Sequence, residues 1–284
     1  MIAETNFDTP WLIAVMDNDV SISNVFAKGN IDKVIIFADT ENVNVSNINI
    51  NSSYVGKNVT NSAFSFYNSS NINISNVSGE SYGWFMFYGK VTENINISQA
   101  TLKLSGHILY VESRDSDNSD YTGGRIRNIS FSDIAIEVAS TTHNGPLFSI
   151  GSLTDPDRHN PITQLSFRNV KLTTNQLYKY SLVRVLNASN VMFDNFNIKN
   201  TSSHENPSLV TLETGAEVQI RGLYVDSVPT LNEMVVTSTA RLLITRGKIK
   251  NIKLSGAECH VELEKTPAVP VFTSSATEGQ LTIS

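Results

Sequence analysis

The pattern of apolar and polar positions along this chain repeats. Residues 127–138, RNISFSDIAIEV, alternate apolar and polar side chains around a Ser-Asp pair. Similar phrases occur at residues 41–50, 70–77, 93–102, 163–172 and 189–198. The first apolar residues of these phrases and of weaker copies lie 23 to 36 residues apart and are Val20, Val43, Ile72, Ile95, Ile129, Leu165, Val191, Val218 and Leu242. Self-similarity at such a period is typical of stacked supersecondary units.

A second apolar segment precedes each phrase. These segments are residues 11–16, 33–38, 63–67, 84–88, 107–111, 146–150, 181–186, 208–212 and 233–238. A period of 2 within both kinds of segment predicts strands, and helical periodicity is absent. The Asn, Asp or Ser in the middle of each phrase can bend the chain without ending the strand. Each repeat is therefore expected to run strand, corner, strand, bend, strand and loop.

Repeats of this length, rich in Asn and Ser, predict an all-β fold of the solenoid kind. We expect a right-handed parallel β-helix of about ten coils, each about 4.8 Å above the last. The rod would then be on the order of 50 Å long.

The repeat runs from about residue 11 to at least residue 250 without a linker, so we expect a single β-helix domain over residues 1–284. Trp11 begins a core-type strand almost at once, and residues 1–10 contain no amphipathic helix to cover the first coil. Natural β-helices normally cap such ends. We therefore expect a fragment or subunit that lacks its own N-terminal cap and is completed by a homotrimer or a longer parent chain.

Charge and hydropathy exclude several classes of partner. The net charge is -6 and no basic run occurs, which argues against nucleic acid. The chain contains no run of eighteen apolar residues, which a membrane-spanning helix would need. Its N-terminus has no signal-peptide pattern. A single cysteine, Cys259, excludes an internal disulfide framework.

The phrase GGRIRNISFSDIAIEV, at residues 123–138, together with residues 144–172, resembles later coils of the polygalacturonase-type branch of the pectin-lyase-like superfamily. Elsewhere in the chain the similarity is generic, and phage tailspike β-helices resemble it equally well. The resemblance implies a protein that binds or cleaves polysaccharide, outside the cell or on a virion surface.

The catalytic motifs of polygalacturonases are poorly matched. Asn30 and Asp32 resemble the family's Asn-Thr-Asp motif, whereas Asn61 and Ser62 stand at the paired-Asp position. His107 comes one coil late, and the Arg-x-Lys motif is missing. The resemblance therefore does not carry over hydrolysis by a paired-carboxylate site.

One outward face of the short strands is expected to present aromatic and charged side chains on successive coils. Its members are Tyr67, Trp84, Tyr88, Tyr110, Glu112, Arg184 and Glu213. Aromatic rings beside charges suit sugars, which have apolar faces and hydroxyl edges. The alternative is that these residues are ordinary strand formers that face another subunit.

Two long loops, residues 112–125 and 151–161, leave this face on consecutive coils. They are expected to bring together candidate catalytic carboxylates and candidate substrate-binding cations, with Arg125 close by. The carboxylates are Glu112, Asp115, Asp155 and Asp157, and the binding residues are Arg114, Arg158 and His159. Two carboxylates could act as acid and base or nucleophile, and arginine with a cation could assist a lyase. Alternatively, both are solvated loops whose ions pair with each other.

The sequence DSDNSD, residues 115–120, has Asp at alternate positions, as calcium loops do. It lacks the Gly and Glu of an EF-hand, so the segment could bind Ca²⁺ only in another geometry. The sequence suggests no other cofactor.

Two functional hypotheses follow. The first is a polysaccharide-binding and polysaccharide-cleaving β-helix, either a glycoside hydrolase or a lyase. The second is a non-catalytic adhesin, receptor-binding spike or structural rod.

Overall fold

The computed structural model describes residues 2–54, 61–89, 91–111, 125–138, 145–151, 162–174, 181–200, 210–227, 233–237, 240–245, 251–255, 259–264, 271–274 and 279–283. These residues form strands joined by turns and corners, and they include no helix. The strands in chain order are β1 (Ile2–Val15), β2 (Ser21–Ala38), β3 (Glu41–Ser52), β4 (Phe64–Tyr67), β5 (Ser70–Ser81), β6 (Phe85–Tyr88), β7 (Val91–Leu104), β8 (Leu109–Val111), β9 (Arg125–Val138), β10 (Phe148–Ile150), β11 (Ile162–Thr174), β12 (Val183–Val185), β13 (Ala188–Asn200), β14 (Val210–Leu212), β15 (Glu217–Ser227), β16 (Glu233–Thr237), β17 (Arg241–Thr245), β18 (Asn251–Ser255), β19 (Cys259–Glu264), β20 (Val271–Ser274) and β21 (Gly279–Ile283).

The strands pair in parallel between successive coils. Odd-numbered strands from β3 to β21 form one continuous ladder, and even-numbered strands from β2 to β20 form another. The long strand β2 takes part in both, since its first half pairs with β3 and its second half with β4. Two ladders of parallel strands that alternate along the chain make a parallel β-helix, which confirms the predicted fold class.

The predicted repeat register is confirmed. The first apolar residue of each phrase pairs with its counterpart one coil on, in the order Val43, Ile72, Ile95, Ile129, Leu165, Val191, Val218 and Leu242. The column continues through Val261 and Leu281, two copies that the sequence pattern did not reveal. Their coils are shorter and lack the Asn-rich phrase, so they carry little sequence signal.

Stacked aromatic rings fill much of the core. Phe66 stacks on Phe37 with ring centroids 4.9 Å apart, and on Phe87 with centroids 4.5 Å apart. A second stack consists of Phe131, Phe167 and Phe193. The predicted inward residues are all buried and are Ile35, Phe64, Phe85, Leu109, Phe148, Val183 and Val210. Apolar side chains recur at equivalent coil positions, so the apolar interior is continuous along the rod.

Asparagine makes the bends. The long strands bend at residues in the left-handed conformation, which are Asn24, Asn47, Asn76, Gln99, Asp133, Asn169 and Asn195. Asn adopts this conformation more readily than other residues with a Cβ, because its short polar side chain can bond locally. The prediction that these positions bend the strand without ending it is therefore confirmed.

A second set of left-handed residues forms a hydrogen-bonded asparagine ladder, which starts at Asp19 and continues near the beginning of the long strands. The side-chain amide of Asn42 donates to Asp19 at 3.1 Å, and that of Asn71 donates to Asn42 at 3.2 Å. Asn94 then donates to Asn71 at 3.0 Å, and Asn128 to Asn94 at 2.7 Å. Every donor thus points to the preceding coil.

Candidate functional site

Tyr67 and Tyr88 form a partly exposed pair at the ends of β4 and β6. They are directly paired across the two strands, and their ring centroids lie 5.2 Å apart at an interplanar angle of 43°. Both side chains are half-buried, so part of each ring remains open to solvent. Burial, and then the neighbouring Tyr67, raises the pKa of the Tyr88 phenol, which therefore stays a neutral hydrogen-bond donor. We call this pair the tyrosine platform.

Polar groups border the tyrosine platform. The corner after β4 places Asn68 in the left-handed conformation, and its side-chain amide donates to Asp39 at 3.1 Å. The side-chain oxygen Oδ1 of Asn68 accepts a hydrogen bond from the backbone N–H of Val91 at 3.3 Å. A ring surface with amide and carboxylate groups beside it is the combination that sugars require.

The expected exposure of Trp84 is wrong. Trp84 is 0% exposed and belongs to the core, and its indole N–H donates to the Lys103 carbonyl at 3.0 Å. It lies at the corner just before β6, and both Trp84 and Phe85 are fully buried there. Strict alternation holds only inside a strand, so it cannot be extended across the corner. Trp84 cannot contact a sugar from this position.

Tyr110 is also wrongly expected to be exposed. It lies in β8 between the core residues Leu109 and Val111, on the outer side of the strand, but only 4% of its surface is accessible. Its neighbours in the same column, Met86 and Ser149, are buried as well. Alternation gives the direction of a side chain but not what covers the sheet. Tyr110 therefore cannot present a ring face to a ligand.

Arg184 and Glu213 do lie together on this face. The Arg184 guanidinium donates from Nε to Oε1 at 2.5 Å and from Nη2 to Oε2 at 2.7 Å. This two-bond geometry is the strong form of an arginine–carboxylate pair. Glu213 thus holds Arg184 in place, and a sugar contact by Arg184 stays a prediction.

The two long loops lie mostly outside the described residues. Every predicted catalytic carboxylate and three binding residues fall there, namely Glu112, Asp115, Asp155, Asp157, Arg114, Arg158 and His159. The possible Ca²⁺ loop at residues 115–120 lies there too. Arg125 is described, and it begins β9 beside Glu93.

A polar cluster that the sequence did not predict stands where the short strands begin. Asp32, beside Lys33 at 3.1 Å, accepts the Asn61 amide from the next coil at 2.8 Å. The Asn61 amide also lies 3.4 Å from the Tyr54 hydroxyl. The Asp32 side chain is 17% exposed. This carboxylate is therefore held in place and still meets solvent.

In the column next to Asp32 and Asn61, Ser62 and His107 form a buried pair. The Ser62 hydroxyl and Nε2 of His107 are 2.8 Å apart, although the residues lie two coils apart. Gly83, on the coil between them, makes this possible, because a methyl group there would stand 2.3 Å from Cε1 of His107. The Tyr82 ring meets the imidazole edge-on with centroids 6.0 Å apart. Buried polar groups are costly unless they are hydrogen-bonded, so the cluster is a candidate for a functional role.

The residues of this cluster occupy equal positions within the repeat, and the sequence shows these positions. Counted back from the first inward residue of each short strand, the third position is occupied by Asp32, Asn61, Tyr82 and Gly106. The second position is occupied by Lys33, Ser62, Gly83 and His107. Stacked coils place equal positions in one column, so these residues had to meet.

Two grooves follow the outer faces of the long strands. One, of about 640 Å³, is lined by Ser78, Thr101, Lys171 and the Glu80–Lys103 ion pair, whose charged atoms are 3.3 Å apart. The other, of about 930 Å³, is lined by polar and apolar residues that include Gln219. Both run across several coils, and their shape suits an extended chain rather than a compact ligand.

Two further classes of site were sought. No group of three or more His, Cys, Asp or Glu side chains that could hold a metal ion occurs in the part of the chain that the structure describes. Among the same residues, no helix is long and apolar enough to cross a membrane.

Comparison of the chain with protein-family models, curated proteins and solved structures gives no match.

Proposed function

We propose that this protein is a polysaccharide-binding parallel β-helix of the pectin-lyase-like kind. The tyrosine platform is the observation that carries the proposal, since two half-buried tyrosines on adjacent coils offer an apolar ring surface to a sugar. The bordering Asn68 and Asp39 supply polar groups for hydroxyl edges. The polygalacturonase-like phrase at residues 123–138 supports the same class of ligand.

Removal of the tyrosine platform is expected to weaken binding. Tyr67→Ala and Tyr88→Ala should each cost roughly 1 kcal/mol through lost stacking area, or about a fivefold loss of affinity. Affinity electrophoresis against a panel of neutral and acidic polysaccharides measures this loss. Tyr88→Phe should bind almost as the parent does, because the ring remains.

Tyr224 offers a matched control, because it is a tyrosine 55% exposed on a different face, in β15. Tyr224→Ala should leave binding unchanged. The proposal is wrong if the parent binds no polysaccharide, or if the double alanine variant binds as the parent does. Either result favours the alternative hypothesis of a non-catalytic rod without a sugar site.

The polar cluster favours a second candidate function, cleavage of the bound polysaccharide. Asp32 is an accessible carboxylate fixed by Lys33 and Asn61, at the place where polygalacturonases carry their Asn-Thr-Asp motif. It could act as base or nucleophile, with a second carboxylate supplied from outside the cluster.

Asp32→Asn is expected to reduce any cleavage by at least about a hundredfold, since the amide cannot accept a proton. Release of reducing ends reports hydrolysis, and absorbance at 235 nm reports a lyase. Asp17→Asn removes an exposed aspartate away from the cluster, in the corner after β1, and this control should cleave as the parent does. If only Glu112→Gln with Asp155→Asn abolishes cleavage, the chemistry lies in the loops and not at Asp32.

A further inference from the structure

Two arginines at the start of β9 share one glutamate near the start of β7. Arg125 donates to Glu93 from Nε at 2.8 Å and from Nη2 at 3.1 Å. Arg127 donates to the same carboxylate from Nε at 2.6 Å. The two arginine side chains are 44% and 45% exposed, whereas that of Glu93 is 13% exposed. The carboxylate thus lies beneath two guanidinium groups that face solvent.

The strand register creates this arrangement. Val91 pairs with Arg125, and Glu93 pairs with Arg127, on neighbouring coils. Residues two apart in a strand point to the same side and are about 7 Å apart. Both guanidinium groups therefore meet the one carboxylate from the same side.

The cluster carries one net positive charge. Hydrogen bonds from Arg125, and then from Arg127, hold the pKa of the Glu93 carboxyl below its ordinary value despite partial burial. Glu93 is therefore ionised at neutral pH and balances one arginine of the two. This surplus positive charge faces solvent in a chain whose net charge is -6.

The other ion pairs of the described residues match one cation with one anion. They are Lys33–Asp32, Lys103–Glu80, Arg168–Asp194, Arg184–Glu213 and Arg241–Glu217. A guanidinium has five N–H donors, and Glu93 occupies only one of Arg127 and two of Arg125. Most donors of the pair are thus not used by Glu93. They are held in a fixed position by a shared anchor, which favours recognition of an anion.

The pair lies next to the tyrosine platform. Tyr88 precedes Val91 by three residues, so the Cα atoms of these two residues are at most about 11 Å apart. Arg125 is directly paired with Val91 on the next coil. A polymer that rests on the platform would therefore pass close to both arginines.

We propose that Arg125 and Arg127 bind a carboxylate or sulfate group of the polysaccharide, so that the ligand is an acidic polymer. This inference rests on the proposed polysaccharide binding for the identity of the polymer. The anionic group bridges the guanidinium donors that Glu93 does not use, and Glu93 keeps the two side chains aligned.

Matched pairs of polymers test this inference. Carboxymethyl cellulose is compared with hydroxyethyl cellulose, and dextran sulfate with dextran, by affinity electrophoresis at about 50 mM salt, where screening is weak. The parent should retain at least one charged polymer about tenfold more strongly than its neutral counterpart. The first pair reports on carboxylate and the second on sulfate.

The variant Arg125→Gln with Arg127→Gln should lose the preference for charge and keep any binding to the neutral polymer. If the lone Glu93 carboxylate destabilises this variant, the triple variant that adds Glu93→Gln replaces it. Arg168→Gln removes an exposed arginine of a one-to-one pair and should keep the preference. A preference that survives the double substitution overturns the anion site.

Failure of the proposed function gives a different result. If no polymer is retained, neutral or charged, polysaccharide binding is wrong and the anion site is decided with inorganic sulfate. Sulfate stabilises folded proteins generally, so the readout is the difference in melting temperature between parent and double variant, in sulfate against chloride at equal ionic strength. A larger rise in the parent supports the site, and an equal rise overturns it.

Discussion

Replacement of Ile134 by aspartate is expected to destabilise the rod by several kcal/mol. Ile134 is 3% exposed in β9, and it pairs with Ala100 on the preceding coil and Val170 on the following one. A carboxylate at this position has no cationic neighbour in its column and is cut off from water. Denaturant unfolding followed by circular dichroism measures the loss as a lower midpoint.

The adjacent residue gives the control. Ala135 is half-buried on the outer side of the same strand and pairs with Lys171. Ala135→Asp should change the free energy of unfolding by no more than about 0.5 kcal/mol, because the new charge meets solvent and an opposite charge. Equal midpoints for the Ile134 and Ala135 variants would contradict the inward and outward assignment.

Gly79→Ala is expected to cost about 3 kcal/mol or more. Gly79 lies within β5 at a φ of 124°, and a methyl group there would stand 1.8 Å from the Ile50 carbonyl oxygen. That atom belongs to the backbone of β3, so it cannot move away as a side chain would. The two strands would have to separate where they pair, and the same unfolding experiment would show it.

Ser78→Ala tests whether the cost belongs to the glycine alone. Ser78 is the preceding residue, and its hydroxyl accepts the Asn49 amide at 2.9 Å on the exposed face. Loss of this bond should cost about 1 kcal/mol or less. A Gly79 variant as stable as the Ser78 variant would show that the close approach to Ile50 is not required.

The sequence allowed the coil register to be predicted because burial repeats at fixed positions. Val43, Ile129 and Leu242 belong to one column, and each is buried for the same reason. Inside a strand a period of 2 is enough to decide which side chain faces the core.

Corners break that rule, and the errors occurred there and on the covered outer face. Trp84 stands at a corner where two consecutive residues are buried, and Tyr110 is covered despite its outward direction. The polar cluster depends on coil stacking, because Gly83 must leave space before His107 can reach Ser62. Equal repeat positions place these residues in shared columns, but whether two side chains touch depends on the space that the coil between them leaves.

The asparagine ladder also gives the rod a direction of growth. Asp19 is the first residue of the asparagine ladder. A carboxylate can only accept hydrogen bonds, so the Asn42 amide must donate toward the N-terminus. Each of the next asparagines in the ladder then offers a side-chain carbonyl oxygen, and the side-chain N–H of the asparagine on the following coil donates to it. During synthesis the N-terminal coils exist first, so the acceptors are in place before the donors arrive. A slip of one residue would force a neighbour such as Val43 or Ile72 into the left-handed conformation, which strongly disfavours β-branched side chains. The ladder thus opposes register errors as each coil is added, before the core above it has closed.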